Sequence, residues 1–303
     1  MAALLAAERG AIATLARNLV GVGVTPLVLK GAALAHSVYA VPWERPHSDV
    51  DVMIPADRAG AVHRVLVEMG YEPAREVLHP LLTGQRHYYH RGPLGIALDV
   101  HTRLVNPWVL RNLPDYDELA GRAVPVPALG PHARVLSRPD ALLHALVHRV
   151  AHHNSSDDPL WLSDIALLAA GMSGDGWRLV VSLADRAAVR AIARDGLLAA
   201  RARAGAAVPP WVLDAMHGGA GEASAALLGG RLTEWRLQWI NFCSLPDWRT
   251  RARFVRAHVA PPPDQLTMDV GTGWRRAARY AARVARGLRK WAAVFPRCTM
   301  TLR

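Results

Sequence analysis

Three aspartates stand where they could do chemistry. Asp49 and Asp51 lie two residues apart in the segment DVDVMI, and Asp99 lies in IALDVH. In an extended segment residues i and i+2 leave the same face, so strict alternation sends Asp49 and Asp51 one way and Val50 and Val52 the other. Two such carboxylates repel, and each raises the other's pKa unless a cation sits between them. A hard divalent ion such as Mg²⁺ suits oxygen ligands and keeps waters for a substrate's phosphates. By itself the D-x-D pattern also occurs in surface turns and calcium loops. Asp99 adds weight because its neighbours Leu98 and Val100 are apolar, and a carboxylate among buried residues needs a cation or strong donors. If the two segments are adjacent strands, Asp49, Asp51 and Asp99 can share a two-metal site. The alternative for Asp99 is a salt-bridged structural role.

A fourth position is Lys30, followed by Gly31. The chain has 36 basic side chains, yet only Lys30 and Lys290 are lysines. An ammonium is a compact charge with three donors, suited to a phosphate where a planar guanidinium would be too large. A glycine at a strand-to-helix junction lets a phosphate approach the backbone, and the helix start offers free N–H groups. Lys30 could instead pair with a nearby acid such as Asp51. Arg45, in the loop before Asp49, could serve as a structural partner of Asp49 or Asp57.

The elements that must position these residues can be read from periodicity. Leu5, Ile12, Leu15 and Leu19 recur at helical spacing, which predicts an amphipathic first helix. Leu27-Val28-Leu29 is a short apolar strand, residues 32–40 a helix, DVDVMI a strand, and residues 57–69 a helix with Gly70 at its C-cap. Residues 85–90 and 96–104 predict two strands around a Gly92-Pro93 turn. Proline and glycine punctuate residues 114–131, and beyond them the pattern is helical. Ser137 with Asp140 signals a helix start, with helices expected at 137–153, 160–170, 177–204, 232–242, 248–258 and 274–295. The expected fold is therefore α+β: a small N-terminal α/β sheet domain over 1–115, a connection over 116–136, and a mostly helical domain over 137–303 ending in a basic helix.

The constellation of Lys-Gly turn, D-x-D strand and third acid resembles the DNA polymerase β-like nucleotidyltransferase superfamily, and more narrowly the bacterial uncharacterised nucleotidyltransferase family. The stretches that carry the resemblance are LVLKGAALAHSVYAVPWERPHSDVDVMI, ALDVHTRL and LLHALVHRVAHHNSSDDPLWLSDIALL. Gly31 is followed by Ala32 where the superfamily usually has serine. The resemblance implies an Mg²⁺-dependent enzyme in which Asp49 and Asp51 hold the metal bound to a nucleoside triphosphate. Asp99 would help bind a second metal and activate the acceptor hydroxyl, while Lys30, Gly31 and Arg45 or Ser48 hold phosphates. It implies an acceptor that is a small molecule, a peptide natural product or a glycan precursor. An RNA-modifying transferase and a non-catalytic binding protein are the alternatives.

His144, His148 and His152 recur every fourth residue on one predicted helix. His148 and His152 are candidate nucleotide-binding residues through a hydrogen-bond network facing the cleft, and a zinc site with Asp164 is the alternative. His101 shares the face of Asp99. The net charge is +11, but from Val270 onward there are nine basic residues and no acidic one. The body is thus nearly neutral and the tail basic. Seven of those cations lie on the last predicted helix, which could meet RNA phosphates, an anionic membrane surface or an acidic partner, or form a solvated face. Tyr280, Val284, Leu288 and Trp291 are expected along its apolar side. No apolar run is long enough to cross a bilayer. Cys243 and Cys298 make neither a disulfide framework nor a metal cage, so the cytoplasm is the expected location.

Overall fold

The structure is a computed structural model that describes residues 2–76, 79–90, 92, 96–229, 232–262 and 273–294, with the side chains of 2–4, 273, 275, 276 and 292–294 left aside. Helix α1 (Ala2–Gly21) leads to strand β1 (Leu27–Leu29), helix α2 (Lys30–Ser37), strand β2 (Asp49–Met53) and helix α3 (Ala59–Glu68). Strands β3 (Tyr71–Pro73), β4 (Gln85–His90) and β5 (Ala97–His101) follow, then helix α4 (Tyr116–Arg122) and the two-residue strands β6 (Val124–Pro125) and β7 (Arg134–Val135). The expected Gly92-Pro93 turn falls partly outside the described residues, since Pro93 is not among them.

These strands form one mixed sheet of order β3-β4-β5-β2-β1-β7-β6. β2 runs parallel to β5 and antiparallel to β1, and β1 runs parallel to β7. The alternation expected of β2 is realised: Val50 and Val52 join Ile12, Leu15, Leu19, Val62 and Leu66 in the core under α1 and α3. Asp49 and Asp51 therefore leave the opposite face. That face is closed elsewhere by Leu27, Leu29, Met53, Leu104, Leu119 and Leu136. Three strands were not anticipated. β3 is only three residues long, and β6 and β7 sit within the stretch read as a connection. Two-residue strands carry no period, so only their pairing reveals them.

The rest is helical: α5 (Arg138–His153), α6 (Pro159–Ala170), α7 (Gly174–Arg186), α8 (Arg190–Ala204), α9 (Pro210–Ala215), α10 (Glu234–Ser244), α11 (Trp248–Val259) and α12 (Gly273–Val294). Ser137 caps α5 by accepting from the Asp140 amide. The single helix expected over 177–204 is two. Ala188 adopts φ +53° between them, while Ala187 and Val189 on either side are buried, so the apolar pattern runs unbroken through the turn. α5 to α8 enclose a second core containing Leu142, Leu146, Val150, Ile165 and Leu197. Gly196 lets α8 approach α5, for a Cβ there would stand 2.6 Å from Leu146 Cδ2. On α12, Trp291 is buried and Val284 packs beside it, while Leu288 is 53% exposed.

One ion pair fastens the helical layer to the sheet. Arg45, in the loop before β2, donates from Nε and Nη2 to the two Asp164 carboxylate oxygens on α6 at 2.7 and 2.9 Å, and Tyr39 donates to the same carboxylate at 2.8 Å. Both charged partners are buried. Asp164, rather than Asp49 or Asp57, is the acid that holds Arg45. Removing one partner of such a pair leaves an uncompensated buried charge, which costs about 3–5 kcal/mol. Asp164→Ala should therefore lower the unfolding free energy by that order in chemical denaturation, and the double change Arg45→Met with Asp164→Leu should recover most of the loss.

Candidate functional site

The parallel pairing of β2 and β5 sets Asp51 directly opposite Asp99. The register is fixed by the apolar residues on the other face, because a slip of one residue would turn every side chain over. Asp51, Asp99 and His101 are all buried, and each offers a ligand atom within 4.8 Å of the others. Among the described residues this is the group of histidine and acidic side chains close enough to hold a metal ion. Asp49 leaves the same face at the cavity rim, where Ser48 Oγ lies 3.3 Å from its Oδ1. His101, two residues beyond Asp99 on β5, joins Asp51 and Asp99 in this cluster.

Lys30 Nζ lies 2.5 Å from Asp51 Oδ1, and His101 Nε2 donates to the same oxygen at 2.7 Å. Burial alone would raise the Asp51 carboxyl, but the His101 hydrogen bond and the Lys30 ammonium outweigh it and hold it well below the usual carboxylate range. Asp99 goes the other way. Burial pushes it up, and the Asp51 charge adds to this against the pull of His87. Its Oδ2 accepts from Gln85 Nε2 at 2.5 Å. The mutual elevation expected of neighbouring carboxylates thus falls on Asp99, because Lys30 and His101 neutralise Asp51.

The Lys30-Gly31 turn joins β1 to α2. Lys30 has φ +49°, a left-handed conformation costing a non-glycine residue roughly 1–2 kcal/mol, and its ion pair with Asp51 holds it there. A Cβ on Gly31 would lie 2.5 Å from His47 Cβ, so only glycine allows the loop 45–48 to close over the turn.

This turn, the carboxylates and α5 enclose a cavity of about 440 Å³ lined by Lys30, Gly31, Arg45, Ser48, Asp49 and Asp51 on the sheet side. On the helical side it is lined by His144, His148, His152, His153 and Trp161. His148 stacks on His152 with ring centroids 4.9 Å apart, and His153 stacks on Trp161 at 4.2 Å. Burial and the Lys30 ammonium push His144 down to about 3 and His148 well below the ordinary histidine value. Asp164 is occupied by Arg45 and Tyr39, and it is not part of the metal-ligand group found among the described residues.

Every candidate site residue except Asp99 lines this one cavity, and Asp99 is tied to it through Asp51 in the strand register. Gln85, His87 and Glu76 were not singled out from the sequence. His87 lies opposite Asp99 on β4, with Nδ1 2.7 Å from Glu76 Oε2 and Nε2 3.5 Å from Asp99 Oδ2. The alternation of Gln85 and His87 is the available signal, and its meaning depends on the β4–β5 pairing.

Paired acids on adjacent strands of a mixed sheet, beside a glycine turn into a helix, are compatible with nucleotidyl transfer, and family membership assigns the nucleotidyltransferase class. The family model described as "uncharacterised nucleotidyltransferase" matches residues 6–205, and the chain belongs to that family. Two solved structures are similar over part of the chain. One is the solution structure of the antibiotic-resistance factor ANT(2'')-Ia, at 13% identity and a TM-score of 0.42, covering 60% of this chain and 93% of that one. The other is an antigenic nucleotidyltransferase-like protein from Paracoccidioides brasiliensis, at 15% identity and a TM-score of 0.37, covering 62% and 92%. Comparison with curated proteins gives no match. Among the described residues no helix is long and apolar enough to cross a membrane.

The buried imidazoles make stability depend on pH. His144 titrates near 6.5 when unfolded and is pushed down to about 3 when folded, so between these values the unfolded chain binds the extra proton. The stability present above about pH 6.5 is then lost progressively as the pH falls, at up to about 1.4 kcal/mol per pH unit for each such group. Denaturation between pH 7.5 and 4.5 should show this slope, and His144→Leu should flatten it.

Proposed function

We propose that this chain transfers a nucleotide from a nucleoside triphosphate to an acceptor hydroxyl or phosphate, with Mg²⁺ as cofactor, and releases pyrophosphate. The observation that carries this reading is the register of Asp51 against Asp99 beside the Lys30-Gly31 turn. The donor set fits a hard divalent cation: two buried carboxylates converge, a third stands at the rim, and positive charge already faces Asp51. Asp49, Asp51 and Asp99 would hold the metal, and Mg²⁺, when bound, offsets the charge that builds on the phosphoryl oxygens.

The chain's own residues orient the reactants. Lys30 and the backbone at Gly31 hold the phosphates, with Ser48 at the cavity rim and Arg45 keeping the loop in place. For a hydroxyl acceptor, its oxygen bonds to the α-phosphorus as the bond to the bridging α,β-oxygen breaks. Pyrophosphate leaves with that electron pair, and the hydroxyl proton passes to Asp99. A small molecule, a peptide product or a glycan precursor is the acceptor class proposed.

The two central acids should respond oppositely to neutralisation. Asp99→Asn removes a carboxylate that burial and Asp51 disfavour, so the metal-free protein should be as stable as wild type or more so. Asp51→Asn strips Lys30 and His101 of their partner and should destabilise it. Both changes should abolish transfer, read by mass spectrometry for added nucleotide mass after incubation with each triphosphate, Mg²⁺ and candidate acceptors. Activity surviving in either variant would place the site elsewhere.

A further inference from the structure

Resting on that reading, we propose that the imidazole wall of α5 seats the nucleotide's base, so that the acceptor approaches from the β4 side of Asp99. The cavity has two unlike walls. Its sheet side holds the Lys30-Gly31 turn, Asp49 and Asp51, where the phosphates belong, and its helical side holds His144, His148, His152, His153 and Trp161. Its volume is within the range of small-ligand sites. Asp99, His87 and Glu76 do not line it, although His87 stands beside Asp99. Asp99 thus stands off the imidazole wall, on the sheet side, where its β4 partner Gln85 reaches the cavity.

The wall has the chemistry of a flat, uncharged ring. His148 and His152 lie nearly parallel, 26° between planes, and His152 is exposed into the cavity, leaving an aromatic face for a further ring. Base stacking on aromatic side chains depends on π-faces and tolerates any base. His144 Nε2 is buried without a hydrogen-bond partner among the described residues, though its side chain lines the cavity. A base edge would supply what that nitrogen lacks. Burial and Lys30 keep these imidazoles neutral, so the wall does not act as a second phosphate clamp. The acid on this side, Asp164, is engaged by Arg45 and Tyr39, which leaves no free carboxylate on the helical wall for a cationic acceptor.

The wall is also rigid. Arg45, fixed by Asp164, sits 5.3 Å from the Trp161 ring, and Trp161 backs His153, whose ring is 4.8 Å from that of His148. Arg149, on α5, donates to the Ser155 and Ser156 carbonyls and to Asp157, pinning the turn that follows His153, and to Asp195 on α8.

The test compares binding of each nucleoside triphosphate with binding of inorganic tripolyphosphate to the full chain in Mg²⁺, by calorimetry. Wild type should bind at least one nucleoside triphosphate about tenfold or more tightly than tripolyphosphate. His152→Ala should remove most of that advantage while leaving tripolyphosphate affinity within about twofold, and His152→Phe should keep the advantage. Equal affinity of wild type for tripolyphosphate and every nucleoside triphosphate overturns the base seat while leaving nucleotidyl transfer standing. So does a His152→Ala variant that weakens both ligands equally or neither. Wild type that binds neither ligand removes the nucleotidyl-transfer reading itself, and the base seat with it. The wild-type comparison needs no variant, so the proposal stays testable should His152→Ala fail to fold.

Discussion

Two carboxylates can be buried side by side only if positive charge and donors face them, and the architecture around Asp51 and Asp99 follows from that constraint. β2 and β5 supply the acids at matched positions. Neighbouring elements then supply the compensation: Lys30 from the start of α2, His101 from β5 and Gln85 from β4. The compensation is uneven. Asp51 receives an ammonium and an imidazole N–H, whereas Asp99 receives a neutral amide, so the two carboxyls move in opposite directions from their ordinary values. That asymmetry gives two chemically identical side chains different environments.

The same strand order explains the placement of the helical layer. One face of the sheet is sealed by α1 and α3 over Val50, Val52 and Leu98, so any cleft must form on the other. There α5 and α6 face the sheet across the cavity, held by the Arg45–Asp164 pair. A structural ion pair, a stacked aromatic wall and the buried carboxylates thus form one connected assembly. Arg45 contributes by fixing both the loop before β2 and the ring of Trp161.

Much of this was legible in the sequence where the signal was local. The alternation in DVDVMI placed Asp49 and Asp51 on one face, the apolar neighbours of Asp99 marked a buried strand, and the capping pair Ser137 and Asp140 marked the start of α5. What depended on partners distant in the chain was not legible. Nothing in residues 85–90 announces that Gln85 will hydrogen-bond Asp99, since fourteen positions and a strand pairing intervene. Arg45 and Asp164 are 119 positions apart, so nearer acids were the only partners a local reading could offer. The break at Ala188 was hidden because both of its neighbours are buried. Lys30 was singled out for its rarity, and its contact with Asp51 is the ion pair that stood as the alternative to phosphate binding.

The proposed chemistry requires the Asp51 and Asp99 carboxylates to share a divalent cation with the phosphates of a nucleotide. A crystal structure of the full chain with Mn²⁺ and a triphosphate whose α,β-bridge cannot be cleaved, with the metal located by anomalous scattering, would show whether they do. The expected result is an anomalous peak about 2.1 Å from carboxylate oxygens of Asp51 and Asp99, with the Lys30 ammonium moved from Asp51 onto a phosphate oxygen. A peak on other residues, with Lys30 still paired to Asp51 beside an ordered triphosphate, would contradict it.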